Sequence, residues 1–255
     1  MTPDSLTNIL FVDTIEQLLL LGLIIALAGI VRGCIGFGFS AITVASTSFW
    51  LPAVAVVNLV IFLEIAASLS MTISVRKDVE RSILIPLCVS AILTSFIGTW
   101  LLATLTAVQL QWLIGLYMVA VATLTLIGYE FKGEMTRGRI FGIGLIAGFF
   151  NGLAAVGGIF AAWALVGLRQ PVRVIRANLA VFFIFVEILF LIGALWNGIL
   201  TWAVVNTAVV TLIPLVLGIW LGSRLFHRIP EATLKRMVLI TLILLSLVGI
   251  YKTIF

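Results

Sequence analysis

Ala28-Gly29-Ile30-Val31-Arg32-Gly33-Cys34-Ile35-Gly36-Phe37-Gly38 is a glycine-rich interruption in an apolar stretch. It has a second copy in Ala147-Gly148-Phe149-Phe150-Asn151-Gly152-Leu153-Ala154-Ala155-Val156-Gly157-Gly158. Gly29, Gly33, Gly38 and Pro52 recur as Gly148, Gly152, Gly157 and Pro171, each 119 residues later. Gly98 and Trp100 continue as Gly218 and Trp220 at a spacing of 120. A further shift of four, placed in Arg224 to Arg228, aligns Leu110 with Leu234. Two copies of one unit in a strongly apolar chain are the signature of a membrane transporter built by duplication.

Composition sets the class. The 255 residues are 63% hydrophobic and 10% charged, with a mean hydropathy of +1.31. Soluble domains carry about 25% charged residues, so the chain reads as an all-α polytopic membrane protein. No segment is long or polar enough for a separate soluble domain. The net charge of +5 sits in short connectors between apolar runs, so it reads as topology and not as a nucleic-acid face. The N-terminus, Met1-Thr2-Pro3-Asp4, lacks the basic region of a signal peptide, and the first apolar segment is expected to be retained. Cys34 and Cys88 both fall in apolar segments, which does not suggest an extracellular disulfide framework and leaves a pair within the membrane as the alternative.

Three runs in the first copy, about 53–75, 83–103 and 109–129, meet the ~20 residues a span needs. The second copy supplies 178–196, 202–222 and 237–255. Ahead of each set lies a shorter, broken element: arms 17–31 and 39–50 around Arg32–Gly38, and arms 140–150 and 159–168 around Asn151–Gly158. At ~1.5 Å per residue the second pair reaches only ~15–17 Å, about half the ~30 Å hydrocarbon core. Each pair is therefore expected to be a helical hairpin that dips in and returns, the first one tilted or deeper.

With hairpins that return and long runs that cross, 13 of the 15 basic residues fall on one side. They are Arg76, Lys77, Arg81, Lys132, Arg137, Arg139, Arg169, Arg173, Arg176, Arg224, Arg228, Lys235 and Arg236. That side is the cytoplasm. The connectors 104–108 and 197–201 carry no basic residue, and Asp4, Asp13 and Glu16 lie on the outer tail. Lys252 is the external exception. Three crossings per copy make the copies inverted, with both termini external to an inner membrane. The expected division is 1–130 for the first repeat, 131–138 for a cytoplasmic linker and 139–255 for the second repeat.

Helices that stop inside a membrane leave amides and carbonyls that lipid cannot satisfy. Gly36, Phe37, Gly38 and Ser40 in one copy, and Gly157 and Gly158 in the other, therefore read as anion-binding loops at helix starts. Gly29/Gly33 and Gly144/Gly148/Gly152 also form small-xxx-small ladders that let helices pack closely. Here the sequence resembles a known family. Residues 28–38 resemble the opening motif of the TauE/SafE family of sulfite and sulfonate exporters, and residues 147–158 resemble its second copy. The resemblance extends over essentially the whole chain. It departs from the commoner glycine run in having Phe37 and Phe39 among its glycines. It implies transport of sulfite or a sulfonate.

Arg32 is the basic residue buried in an apolar stretch. Two readings stand: a clamp whose paired donors match a sulfonate, sulfite or carboxylate, or a structural ion pair with Glu64 or Glu187, or snorkelling to an interface. Its counterpart, Asn151, is uncharged. Glu64 and Glu187 each sit near the middle of a span, where a charge costs ~2.5–3.5 kcal/mol. Each reads either as a proton-coupling carboxylate or as an acid that holds helices together, and Glu64 aligns with Ile184, one turn before Glu187. Asn58 and Asn178, just after the matched prolines, line the cavity or bridge helices. Gly33, Cys34 and Gly152 complete the candidate set, with Cys34 also readable as packing. His227 reads as a solvated loop residue.

There is no GxxxxGK[ST], HExxH, CxxC or GxSxG pattern. No enzyme activity, cofactor or metal is expected. The expected partners are a small anion and the lipid bilayer, and a homodimer is compatible with the pattern. The reading is a secondary transporter exporting a small sulfur-containing anion by alternating access, with proton coupling through Glu64 or Glu187 open. The alternatives are an anion channel or a proton-coupled importer of a small organic anion.

Overall fold

Thr14 stands in extended backbone, and its side-chain oxygen accepts the Gln17 amide at 3.2 Å. This N-cap satisfies one of the orphan donors of a new helix, and α1 runs from there over Ile15–Ile35. The same device starts two more helices. Thr106 and Gln109 form a reciprocal capping box at the start of α5 (Ala107–Leu126). Thr136 accepts from Arg139 N at the start of α6 (Arg137–Ala154). Between these lie α2 (Phe39–Thr47), α3 (Ala53–Val75), a 3-10 turn (Arg76–Asp78) and α4 (Arg81–Thr104). Beyond α6 follow α7 (Gly157–Gly167), α8 (Val172–Trp196) and α9 (Trp202–Leu225). The computed structural model describes residues 10–48, 50–128, 136–167 and 171–225, with Ile240 and Ile243. Among these there are nine α-helices and no strand.

Among the described residues six helices are long and apolar enough to cross a bilayer: α1, α3, α4, α5, α8 and α9. The last five correspond to expected spans. The expected span 237–255 apart from Ile240 and Ile243, linker residues 131–135, and Lys132, Arg169, His227, Arg228, Lys235, Arg236 and Lys252 lie outside the described residues.

The interruptions are shorter than the glycine content indicated. Arg32–Gly38 was expected to be non-helical, but α1 continues to Ile35 and only Gly36, Phe37 and Gly38 are unwound. Asn151–Gly158 contracts likewise to Ala155 and Val156. The stops are made by left-handed residues whose amides close the last turn: Gly36 (φ 86°) donates to Arg32 O at 2.8 Å, and Ala155 (φ 57°) to Asn151 O at 2.8 Å. Arg32, Gly33, Cys34, Asn151 and Gly152 therefore sit in terminal helical turns.

The glycines inside those turns allow close helix packing. Gly29 and Gly33 of α1 face Gly218 and Ile219–Ser223 of α9, so α1 and α9 run side by side in the same direction. A Cβ at Gly33 would strike Ile219 O, and one at Gly222 would strike Ile30 O. In the second copy, α6 lies along α4: Gly148 faces Ala91, and Gly152 faces Ser95. Each broken helix thus packs against the other copy's counterpart helix. Between the two pairs lie α3 and α8, packed on each other. Of the six spans α3 is the most enclosed, with 61% of its span buried.

The outer surface is apolar. Leu19, Ile127 and Ile213 are about two-thirds exposed, a pattern suited to lipid and unsuited to water. Trp196 and Trp202, the most exposed large hydrophobic side chains among the described residues, flank the connector 197–201 where an interfacial belt is expected. The two ends of the molecule differ. At one end Phe11 N bonds Thr207 Oγ1 (3.3 Å), Gln111 Nε2 bonds Ser48 O (2.8 Å) and Asn58 Nδ2 bonds Ile199 O (3.2 Å). At the other, Arg173 pairs with Asp78 at 3.8 Å, and Arg81 and Arg137 line one groove.

Candidate functional site

α1 places Arg32 in its final turn, aimed into the protein interior and fully buried. The guanidinium meets three partners. Nη1 lies 3.1 Å from Glu64 Oε1, Nη2 donates to Ser68 Oγ at 2.8 Å, and the Phe183 ring lies 4.7 Å from its central carbon. Glu64 and Ser68 are one helical turn apart on α3, so a single face of that helix offers both oxygens. Phe183 belongs to α8 and fits because Gly158, at the start of α7, has no side chain: a Cβ there would overlap the ring. Arg32 thus joins α1, α3 and α8.

α6 presents Asn151 in the same way. Its Nδ2 donates to Glu187 Oε2 at 3.2 Å, and both side chains are fully buried. Arg32 and Ser68 are 36 residues apart, and so are Asn151 and Glu187. The repeat register of 119 maps Ser68 onto Glu187 and Glu64 onto Phe183. The two copies therefore build the same station with different chemistry: cation, acid and hydroxyl in one, amide, ring and acid in the other. Glu187 lies within electrostatic reach of Arg32 and Glu64.

Buried charge of this kind is costly unless paired. Arg32 and Glu64 offset each other, while Glu187 has only an amide donor. Arg32 Nε, Glu64 Oε2, Glu187 Oε1 and Asn151 Oδ1 are buried without a hydrogen-bond partner among the described residues. Four unsatisfied polar atoms around one cluster are what a ligand or a bound proton would complete.

A cavity of about 360 Å³ opens beside this cluster, lined in part by Gly33, Ala67, Ser70, Arg176, Ile219 and Ser223. Its walls thus include the residue after Arg32 and the residue before Ser68. The volume falls within the range of small-ligand pockets, about 300–1,000 Å³. Arg176 on α8 is half-buried, and the guanidinium of Arg224 stacks on Trp220, another lining residue, at 3.8 Å. The cavity therefore lies toward the arginine-rich end.

The other expected residues distribute as follows. Gly36 and Gly38 take left-handed backbone (φ 86° and 93°), and Gly38 is the N-cap of α2 without a side-chain cap. Ser40 is buried in that helix's first turn, and Phe37 packs against the apolar cluster that includes Phe182 and Phe183. A Cβ at Gly157 would strike Ala147 O, so it is the point where α7 turns back along α6. Cys34 directs Sγ to Gly222 O at 3.1 Å, on the α1–α9 seam, and Gly152 fills the equivalent seam against Ser95. Asn58 bonds Val54 O and Ile199 O, toward the arginine-poor end. Asn178 bonds Val174 O in its own helix. No hydrogen bond joins either asparagine to the Arg32 cluster among the described residues.

Ser68 and Phe183 are absent from the sequence reading, and Arg176 enters it only as a cytoplasmic-side basic residue and not as a site residue. Extending the register of 119 would have marked Ser68 through Glu187 and Phe183 through Glu64. The shift to 120 taken for the later helices hid both. Tyr117 was likewise not anticipated: its hydroxyl donates to Val156 O at 3.2 Å, and its ring stacks on Phe150 at 3.6 Å, bracing the second interruption.

Neither a curated protein nor a solved structure matches the chain. The family model for the sulfite exporter TauE/SafE matches residues 21–249, a range that takes in both interruptions, the Arg32–Glu64 pair and the Asn151–Glu187 pair. With its multi-pass helical architecture and a match over most of its length, the chain belongs to the TauE/SafE family of sulfite exporters.

Proposed function

We propose that this protein is a secondary transporter that exports a small sulfur-containing anion, sulfite or an organosulfonate, by alternating access around Arg32. The observation that carries this reading is a fully buried guanidinium whose neighbour Gly33 lines a cavity, in a chain of an exporter family. Guanidinium offers paired donors in a plane that suits the oxygens of a sulfonate or sulfite. The α2 and α7 first-turn amides add partial positive charge near the interruptions. The full enclosure of Arg32 favours a gated carrier over an open channel.

The copies act as inverted repeats, 1–130 and 139–255, across the linker 131–138. In support, α1 begins at the end where Phe11 meets Thr207, while α6 begins at the opposite end beside Arg81. The arginine-rich end faces the cytoplasm of an inner membrane, which puts the described start of the chain outside. With the interior negative, moving one negative charge outward gains ~2.3 kcal/mol per 100 mV. An uncoupled exporter therefore needs no second ion. A cycle that carries a proton outward with the anion on Glu64 or Glu187 forgoes that gain, and one that exchanges the anion for an entering proton adds to it. Both respond to pH, and a proton-coupled importer would use the same groups.

The test is flux of sulfite and methanesulfonate in proteoliposomes of purified protein, with pH gradient and potential imposed separately. Saturable flux is expected, and Arg32→Gln should abolish it while the protein still inserts. Unchanged flux in Arg32→Gln would remove Arg32 from the site, and no flux of either anion would sink the substrate assignment.

A further inference from the structure

We propose that the Glu64 carboxylate is a built-in occupant of the anion seat on Arg32, that the transported anion enters by displacing it, and that the displaced carboxylate takes up one proton. Each anion then crosses with one proton. This rests on the transport reading above and specifies its coupling.

The geometry supplies the competition. Glu64 Oε1 lies 3.1 Å from Nη1, on the guanidinium edge that an oxyanion would use, and Ser68 holds Nη2. A carboxylate and a sulfonate present similar pairs of oxygens to that edge, and the Nη1 position that Glu64 holds is not open to both at once. The cavity lies next to this pair and not in contact with it: Gly33, the residue after Arg32, and Ala67, the residue before Ser68, line it, while Arg32, Glu64 and Ser68 are buried behind them. The charged group an anion meets in that cavity is Arg176, and the Arg32–Glu64 pair lies deeper.

Charge forbids simple addition. Among the described residues, Arg32 of α1 faces Glu64 directly, Glu187 of α8 lies within electrostatic reach of both, and Arg176 of α8 lies within reach of Arg32. An anion on Arg32 beside an ionised Glu64 would place like charges a few ångströms apart in a buried site, where repulsion is far stronger than in water. Protonating Glu64 removes it. The empty site holds Glu64⁻ and Arg32⁺, and the loaded site holds neutral Glu64, Arg32⁺ and the anion. One anion and one proton have entered, and the net charge is unchanged. Glu187 keeps its bond to Asn151 in both states. The second copy has no cation at the Arg32 position, so it offers no equivalent seat, and the stoichiometry is one to one.

The test uses methanesulfonate, whose own charge does not vary over the accessible pH range. In wild-type proteoliposomes its apparent affinity should weaken about tenfold per pH unit on the alkaline side, as linkage to one proton requires, and flux should ignore an imposed potential. Glu64→Gln, which keeps an oxygen beside Arg32 but cannot hold the charge, should bind methanesulfonate with pH-independent affinity and move it in response to potential. Glu64→Asp should restore acid dependence. Acid dependence that survives Glu64→Gln and disappears in Glu187→Gln assigns the proton to Glu187 and overturns the proposal. Wild-type flux that is potential-driven and indifferent to pH overturns it as well, and leaves the transport reading intact. No wild-type flux at all defeats the transport reading, and the proposal with it.

Discussion

Arg32 is held by an acid, a hydroxyl and an aromatic face at once, all of them buried. Removing one member of such a pair leaves the other charged and desolvated, at a cost of about 3–5 kcal/mol, whereas replacing both by apolar side chains of similar volume is often neutral. Glu64→Ala should therefore lower thermal stability in detergent more than Glu64→Gln does. The double variant Arg32→Met/Glu64→Leu should recover most of the loss and still carry no anion, which separates the fold's need for the pair from transport's need for it. Asn151→Ala removes the described donor to Glu187 and should cost about 1–3 kcal/mol, read in the same melting experiment. At this scale the sequence singled out residues that meet in the buried interior. Arg32, Glu64, Asn151 and Glu187 stand out because charged and amide groups are conspicuous in an apolar chain. Their pairing was not legible, because it depends on which faces of α1, α3, α6 and α8 meet, and residue spacing says nothing about facing.

The interruptions belong to the scale of the element. Gly38 is at φ 93° and caps α2. Gly38→Ala forces a Cβ into the left-handed region and should cost about 1–2 kcal/mol. The seam glycines differ in mechanism, because a side chain there collides with a neighbouring helix and not with its own backbone. Gly33→Leu and Gly152→Leu should each prevent a monodisperse folded protein on size-exclusion chromatography, since backbone of α9 or of α4 occupies the space. Gly138 and Gly142, with nothing near a Cβ, should tolerate alanine. This difference explains why the breaks were read as too long. A glycine that ends a helix and a glycine that admits a neighbour look alike in a string of letters. Only the opposing helix distinguishes Gly33 from Gly36.

On the scale of the whole molecule, the two ends carry different chemistry, and the proposed orientation follows from it. In a variant lacking Cys34 and Cys88, single cysteines at Lys77, Arg137 and Arg173 should react with impermeant reagent only from the cytoplasmic side. Cysteines at Ala107 and Thr201 should react only from outside, and the reverse pattern would invert the orientation. Hydropathy and the repeat register together determined that this chain is a helical membrane protein and located its two interruptions. They marked five of the runs that are span-length helices among the described residues, while 17–31, read as an arm of a hairpin, is part of a sixth span-length helix. Those properties are local or cumulative, since each apolar run of span length must find lipid and each break must find protein. The tertiary structure alone decided that each copy's broken helix packs on the other copy's helix, that Glu64 and not Glu187 pairs with Arg32, and that a cavity ends beside them. Those outcomes rest on contacts between residues far apart in the chain, where close approach at glycine and the direction of a buried side chain select the partner.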